Sequence, residues 1–377
     1  VSTGGRQIQE SSDEVLAIER RFPEVRRRLA RVRCTTLPTR VHRLQRLGAH
    51  LGIDQLWVKR DDESGPLYGG NKPRKLEFLL GAALAERKRT VLTVGGIGTH
   101  HGLATAIYAR AVGLRTILLL LRQPVTEHVR RCLLLDYAAG AELHCASTVP
   151  GLALRGLRVC AGELLRGQLP YVIPTGGSSP LGALGYVNAA IELRAQITAG
   201  EMPEPDWIFV PMGSGGTVAG LVLGARLIGL RSRIAAVLVT DILPPTPESL
   251  AKLAAKSRSL LQQLSPQVSS AAPLRAEDFT LISGYVGPAY GAPTDAARRA
   301  RDLMAEMEDI HLDTTYTAKC AAAMIDAART TTDRGSCVLF WNTYSSVDPA
   351  AHLGPLPPYQ QLPRAFHQFF AGPTVPA

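Results

Sequence analysis

The sequence predicts an α/β protein of two domains, each built on an open parallel sheet covered by helices. Three observations predict it. At 377 residues and 46% hydrophobic, the chain is long enough for two cores. Short apolar runs rich in bulky and β-branched residues alternate with helical patterns, as in parallel sheets covered on both faces. Glycine-rich segments follow three of those runs, where the next helix begins and where open parallel sheets bind ligands.

The first strand is LWVKR from Leu56, and it leads through RDDESG into GGNKPRKLEF at residues 69–78. Two glycines there permit close backbone approach, Asn71 suits an N-cap, Pro73 suits a first turn, and Leu76, Phe78, Leu79 and Leu80 supply a buried helical face. Lys72 thus stands at the positive end of a helix. That end disfavours the ammonium form and attracts anions, so a reactive amine beside a phosphate is one reading of the run. A capped amphipathic helix with two solvated lysines is the other.

The second strand, RTVLTV from Arg89, precedes GGIGTHHGLATAIYARAVG, which places Thr99, His100 and His101 at the mouth of a helix ending at Gly113. Amides there suit a substrate carboxylate. Adjacent histidines diverge around a helix and lack the i, i+4 spacing of a helical zinc site, so no metal is expected. LRTILLLL from Leu114 and YVIP from Tyr171 follow, the latter entering a Gly/Ser turn before a helix from Pro180. WIFVP from Trp207 runs into Gly213, Ser214, Gly215, Gly216 and Thr217, a side-chain-poor turn. Its amides and hydroxyls either surround a phosphate dianion or tighten the strand–helix junction. It lacks the lysine of a Walker loop and the placement of a dinucleotide fingerprint, which argues against nucleotides. IAAVLVT from Ile234, a helix-and-loop insertion over 244–278, and CVLFW from Cys337 complete the pattern. Seven strands with unequal connectors favour two sheets, with 77–175 as a smaller domain and 1–76 plus 176–377 as a larger one.

The net charge of +10 comes mostly from dispersed arginines. The one cluster, at residues 20–33, lacks the interleaved aromatics of a nucleic-acid surface and reads as a solvated helix face. No apolar run reaches the length of a membrane span, and the N-terminus has no signal-peptide core, so a cytoplasmic location is expected. Six scattered cysteines read as reduced core residues.

Taken in order, GGNKPRKLEF after KRDD, GGIGTHH, PTGGSSPLGALGY, GSGGT, YVGPAYGAPT and LDTTYTAK make the chain resemble the fold-type II, tryptophan synthase β-like pyridoxal-phosphate (PLP) enzymes. Within these, it resembles the D-cysteine desulfhydrases and 1-aminocyclopropane-1-carboxylate (ACC) deaminases over about residues 36–345. The resemblance implies that PLP is the cofactor and Lys72 its Schiff-base lysine. It further places Asn71 and His100 near the cofactor and Gly213 to Thr217 at its phosphate. Tyr290, Tyr316 and Thr99 are then the catalytic side chains, and Thr99, His100 and His101 meet the substrate. Thr317 stands where ACC deaminases carry the glutamate that protonates the pyridine ring. A threonine there favours a desulfhydrase-like elimination, D-cysteine giving pyruvate, ammonia and sulfide, while an ACC deaminase-like reaction stays within the family's range. A homodimer is implied in the same way. The chain departs from the family at Gly98, Thr99 and His100, where Gln-Ser-Asn is usual, and at Asn342, Thr343, Tyr344 and Ser345, where His-Thr-Gly-Gly is usual. Those departures keep open a PLP-dependent β-replacement or cyclisation, or a non-catalytic PLP binder.

Overall fold

A computed structural model describes residues 14–268, 273–330 and 335–375. The strands form two sheets. One has six strands in the order β1-β2-β10-β7-β8-β9: β1 Val41–Arg43, β2 Leu56–Lys59, β7 Trp207–Met212, β8 Arg233–Leu238, β9 Thr280–Ile282 and β10 Val338–Trp341. All its pairings are parallel except β1 with β2. The other is wholly parallel in the order β5-β4-β3-β6: β3 Thr90–Gly96, β4 Arg115–Leu121, β5 Glu142–Ala146 and β6 Tyr171–Ile173.

The seven strands expected from apolar runs are all present. Sequence reading missed β1, β5 and β9, and each lies at a sheet edge. An edge strand is covered less completely, so its residues need not be continuously apolar; β5, for example, buries only Leu143 of its five residues.

The interior strands show why the runs are apolar on both faces. Along β7, Ile208 and Val210 enter a core shared with helices Pro180–Thr198 and Gly216–Ile228, while Phe209 between them faces a core shared with Asp295–Glu308 and Thr317–Thr330. In the four-stranded sheet, Leu118 and Leu120 face one cluster and Ile117 and Leu119 the other. The helix Lys72–Ala85 buries Leu76, Phe78, Leu79 and Leu80 as expected, and it buries Arg74, Lys75 and Glu77 as well. The picture of solvated lysines therefore does not hold: Lys75 is only 2% exposed, because this helix is enclosed by both sheets' coverings. All six cysteines are free, four of them buried.

Candidate active site

The C-terminal ends of β3 and β7 and the loops after β2, β6 and β10 open onto one cavity of about 380 Å³. Lys72, Asn71, Thr99, His100, His101, Gly213, Ser214, Gly215, Thr217, Tyr290 and Tyr316, all singled out from sequence, line it. Gly216 and Thr317 do not reach its wall: Gly216 turns its amide to Ser178 Oγ (2.9 Å), and Thr317 is fully buried behind Asp313.

Lys72 is the first residue of its helix, as the sequence suggested, but Asn71 does not cap it. Asn71 has helical backbone angles and no side-chain capping bond. Its amide instead donates to Thr217 Oγ1 (3.0 Å) and accepts from Lys72 Nζ, so it links the lysine to the glycine turn. Burial pushes the Lys72 amine down to about 8, against a smaller opposing pull from the Asp313 carboxylate. Lys75, one turn on, is also pushed well down by burial and then by Lys72, and its Nζ donates to the Gly176 carbonyl (3.0 Å).

Across the cavity, Gly215 sits at φ +84°, and a Cβ there would come 2.6 Å from Leu250 Cδ2. Gly176 is at φ +64°, and its Cβ would lie 2.1 Å from Ser214 Oγ. The two glycines hold open a small cradle whose polar rim is Ser178 Oγ and Ser214 Oγ, 2.7 Å apart. The helix Gly216–Ile228 starts there with no side-chain cap. Amides, hydroxyls and a helix N-terminus form a donor set for a phosphate dianion. An amine lowered to about 8 nearby suits an aldehyde. The residues present therefore fit PLP.

Tyr290 and Tyr316 hydrogen-bond to one another through their hydroxyls. Burial raises both, while the bond from Tyr316 works in the opposite sense at Tyr290. Lys72 Nζ lies 6.0 Å from the Tyr316 ring centre. Asp313, which sequence reading passed over within LDTTYTAK, sets Tyr316 in place. Its carboxylate accepts the amides of Thr315, Tyr316 and Thr317 and the Thr317 hydroxyl (2.6 Å). The Tyr290 amide donates to Asp241 (3.0 Å).

Thr99 caps its helix through Gly102 N (3.3 Å). The Thr93 hydroxyl donates to the Ile173 carbonyl (2.8 Å), so it accepts from His101 Nε2–H (3.0 Å) and leaves His101 Nδ1 as an unpartnered acceptor. His100 Nδ1 meets Tyr68 OH (2.7 Å), and its ring touches Tyr344 edge-on at 5.1 Å. Burial, then His128, push His100 down to about 3, so it is neutral. Two of the residues at which the chain departs from the pattern it resembles, His100 and Tyr344, are thus in contact.

A sequence model of the pyridoxal-phosphate dependent enzyme family matches residues 33–343. Nocardicin C-9' epimerase of Nocardia uniformis subsp. tsuyamanensis is 34% identical over 336 residues, 88% of this chain and 97% of that protein. D-cysteine desulfhydrase of Klebsiella pneumoniae (strain 342) is 36% identical over 306 residues, covering 79% and 88% respectively. Among solved structures, a crystal structure described as an ACC deaminase homologue superposes with a TM-score of 0.71 at 29% identity, over 87% of this chain and 94% of that one.

Proposed function

The chain belongs to the pyridoxal-phosphate-dependent enzymes, and from that premise we propose that it is a lyase acting on a small amino acid, with D-cysteine α,β-elimination as its reaction. The observation that carries this is Lys72, an amine lowered to about 8 on the wall of a cavity that also holds the glycine cradle and the tyrosine pair. Lys72 would hold the cofactor through its amine, Ser214, Gly215 and Thr217 would receive its phosphate, and Asn71 would lie beside it. Bound PLP supplies an electron sink for the charge left when Cα loses its proton. The Lys72 amine is placed to take the Cα proton of the bound amino acid. Tyr316, paired with Tyr290, moves a proton to the departing sulfur. Water then completes the balance: D-cysteine and water give pyruvate, ammonia and hydrogen sulfide. Thr99 and the amides beside His100 and His101 orient the substrate carboxylate.

A threonine at 317, where ACC deaminases carry a glutamate, removes the carboxylate that would keep the ring nitrogen protonated and so favours elimination over ACC ring opening. A second reading, Cα epimerisation, is favoured by the likeness to nocardicin C-9' epimerase over nearly all of that protein's length. It needs only that the Cα proton be returned to the opposite face, with Tyr316 or Thr99 as donor.

We further assign residues 77–175 as the smaller domain and 1–76 plus 176–377 as the larger, supported by the confinement of β3 to β6 within 90–173; residues 1–13, 269–272, 331–334 and 376–377 of that division lie outside the described residues. We also infer a homodimer, by likeness to the family, and a cytoplasmic site of action, supported by six free cysteines and, among the described residues, no helix long and apolar enough to cross a membrane.

The test is visible absorption with added PLP for wild type and Lys72→Ala, followed by D-cysteine in deuterated water. A Lys72-dependent band with release of pyruvate and sulfide supports elimination. Recovery of deuterated amino acid of inverted configuration, without pyruvate, replaces it with epimerisation. Absence of any Lys72-dependent band refutes both.

A further inference from the structure

His100 belongs to a second constellation that the reaction above does not use. His128 and Cys132 lie one turn apart on the helix Glu127–Ala138, with Cys132 Sγ 3.2 Å from His128 Nε2. The His100 and His128 ring centres are 4.7 Å apart. One ligand atom from each of the three residues falls within 4.8 Å of the others, and among the described residues this is the one such group of histidine, cysteine or carboxylate side chains. The group is reached from two sides: His100 and Tyr344 line the cavity that holds Lys72, while His128, Cys132 and Tyr344 line a neighbouring one of about 210 Å³.

We propose that His100, His128 and Cys132 bind a zinc-class divalent cation beside the cofactor cavity, leaving the fourth tetrahedral position to water. Zinc–nitrogen and zinc–sulfur bonds of about 2.0–2.3 Å put neighbouring ligand atoms about 3.3–3.6 Å apart. The His128–Cys132 pair, at 3.2 Å, falls just short of that spacing, and the widest separation in the group closes with a movement of at most about 1.5 Å. An imidazole and thiolate set selects zinc over magnesium or calcium. His100 also has the outer partner that a metal-bound histidine uses: with Nδ1–H donating to the Tyr68 oxygen at 2.7 Å, Nε2 is free to ligate. On binding, the Cys132 S–H bond breaks, a sulfur–metal bond forms and the proton passes to solvent, with no change of oxidation state. The expectation of no metal weighed only the adjacent pair His100 and His101; the other two ligands come from a separate helix, 28 and 32 residues further on.

The experiment titrates metal-free, PLP-loaded protein with Zn²⁺ against a chromophoric chelator, and with Co²⁺ as a spectroscopic probe. The expected result is one equivalent bound, with the intense ligand-field bands of four-coordinate cobalt and a sulfur-to-cobalt charge-transfer band. Tyr68→Phe should weaken zinc binding by about 10- to 100-fold, and Cys132→Ser and His128→Gln by more than that. Cofactor-free Lys72→Ala should bind zinc as cofactor-free wild type does, which separates this site from the cofactor amine. Absence of stoichiometric binding, weak six-coordinate cobalt bands, undiminished affinity in Cys132→Ser, or loss of affinity in Lys72→Ala overturns the proposal. Should the ligand variants fail to fold, the wild-type cobalt spectrum decides by the presence or absence of the sulfur band.

Discussion

A lysine amine in water keeps its proton to about pH 10.4, whereas burial brings Lys72 down to about 8. The neutral amine is the nucleophile toward the cofactor's aldehyde. Below its folded pKa, Lys72 is mostly ammonium, so capture of PLP by cofactor-free protein should accelerate about tenfold per pH unit up to about 8 and then level off. Stopped-flow absorbance over that range reads the profile, and a rise continuing to about pH 10 contradicts the lowered amine. The tyrosine pair makes a second demand. Removing a positioned acid costs about 10²–10⁴-fold in kcat, so Tyr316→Phe should lose turnover by that factor while keeping the Lys72-dependent band. A variant with unchanged kcat would reduce the pair to packing. At this scale Lys72 was legible because the glycines before it and the proline after it mark a helix start, although Asn71 does not cap it. Lys75 was not: nothing local distinguishes a lysine that is buried by helices distant in sequence from one that is solvated.

The helix Thr317–Thr330 shows how an element aims a side chain. Asp313 gathers three successive amides and one hydroxyl at its start, and Lys319 Nζ reaches back to the Val286 carbonyl in the loop that carries Tyr290. One carboxylate therefore fixes the helix entrance and the Tyr316 backbone together. Asp313→Ala should cost about 1–3 kcal/mol of stability, since it removes a cap and leaves buried donors unpaired. It should also lower kcat by a larger factor than that destabilisation alone produces at a temperature where the variant is folded. Urea unfolding alongside steady-state kinetics separates the two, and a stability loss with unaltered kcat would make Asp313 a cap only. Interior strands were legible in sequence because both their faces are covered. The edges β1, β5 and β9 escaped because partial cover relaxes the demand for apolar residues, and Asp313 escaped because an acidic residue before a helix is ordinary until its bonds are seen.

At the scale of the whole molecule, the cavity depends on a buried ionic hub beneath Lys72. Arg74, two residues on, pairs with Asp61 (2.7 Å) and Glu192 (2.9 Å), Glu192 also pairs with Lys59 (2.6 Å), and Asp61 accepts from Tyr186 (2.7 Å) and Trp341 (2.7 Å). The hub thereby ties β2, β10 and the helix Pro180–Thr198 to the helix carrying Lys72. No sequence pattern announces it, because its members are spread over 283 positions, from Lys59 to Trp341, and meet only in the fold. Burial alone would raise the Glu192 carboxyl, but Arg74 and then Lys59 hold it down to about 2. Its folded pKa is depressed, so its contribution to stability is fully present above its ordinary value of 4.5 and is lost as pH falls toward about 2. A shift of that size corresponds to about 3 kcal/mol. Glu192→Gln, which strands Arg74 and Lys59 with one carboxylate fewer, should lose about 3–5 kcal/mol near neutrality, and its deficit relative to wild type should narrow as both are acidified below 4.5. Urea midpoints measured across that acid range read the difference directly. A deficit that stays constant with pH would mean that Glu192 acts through shape and hydrogen bonding alone, and that the platform under Lys72 is held by packing and not by charge.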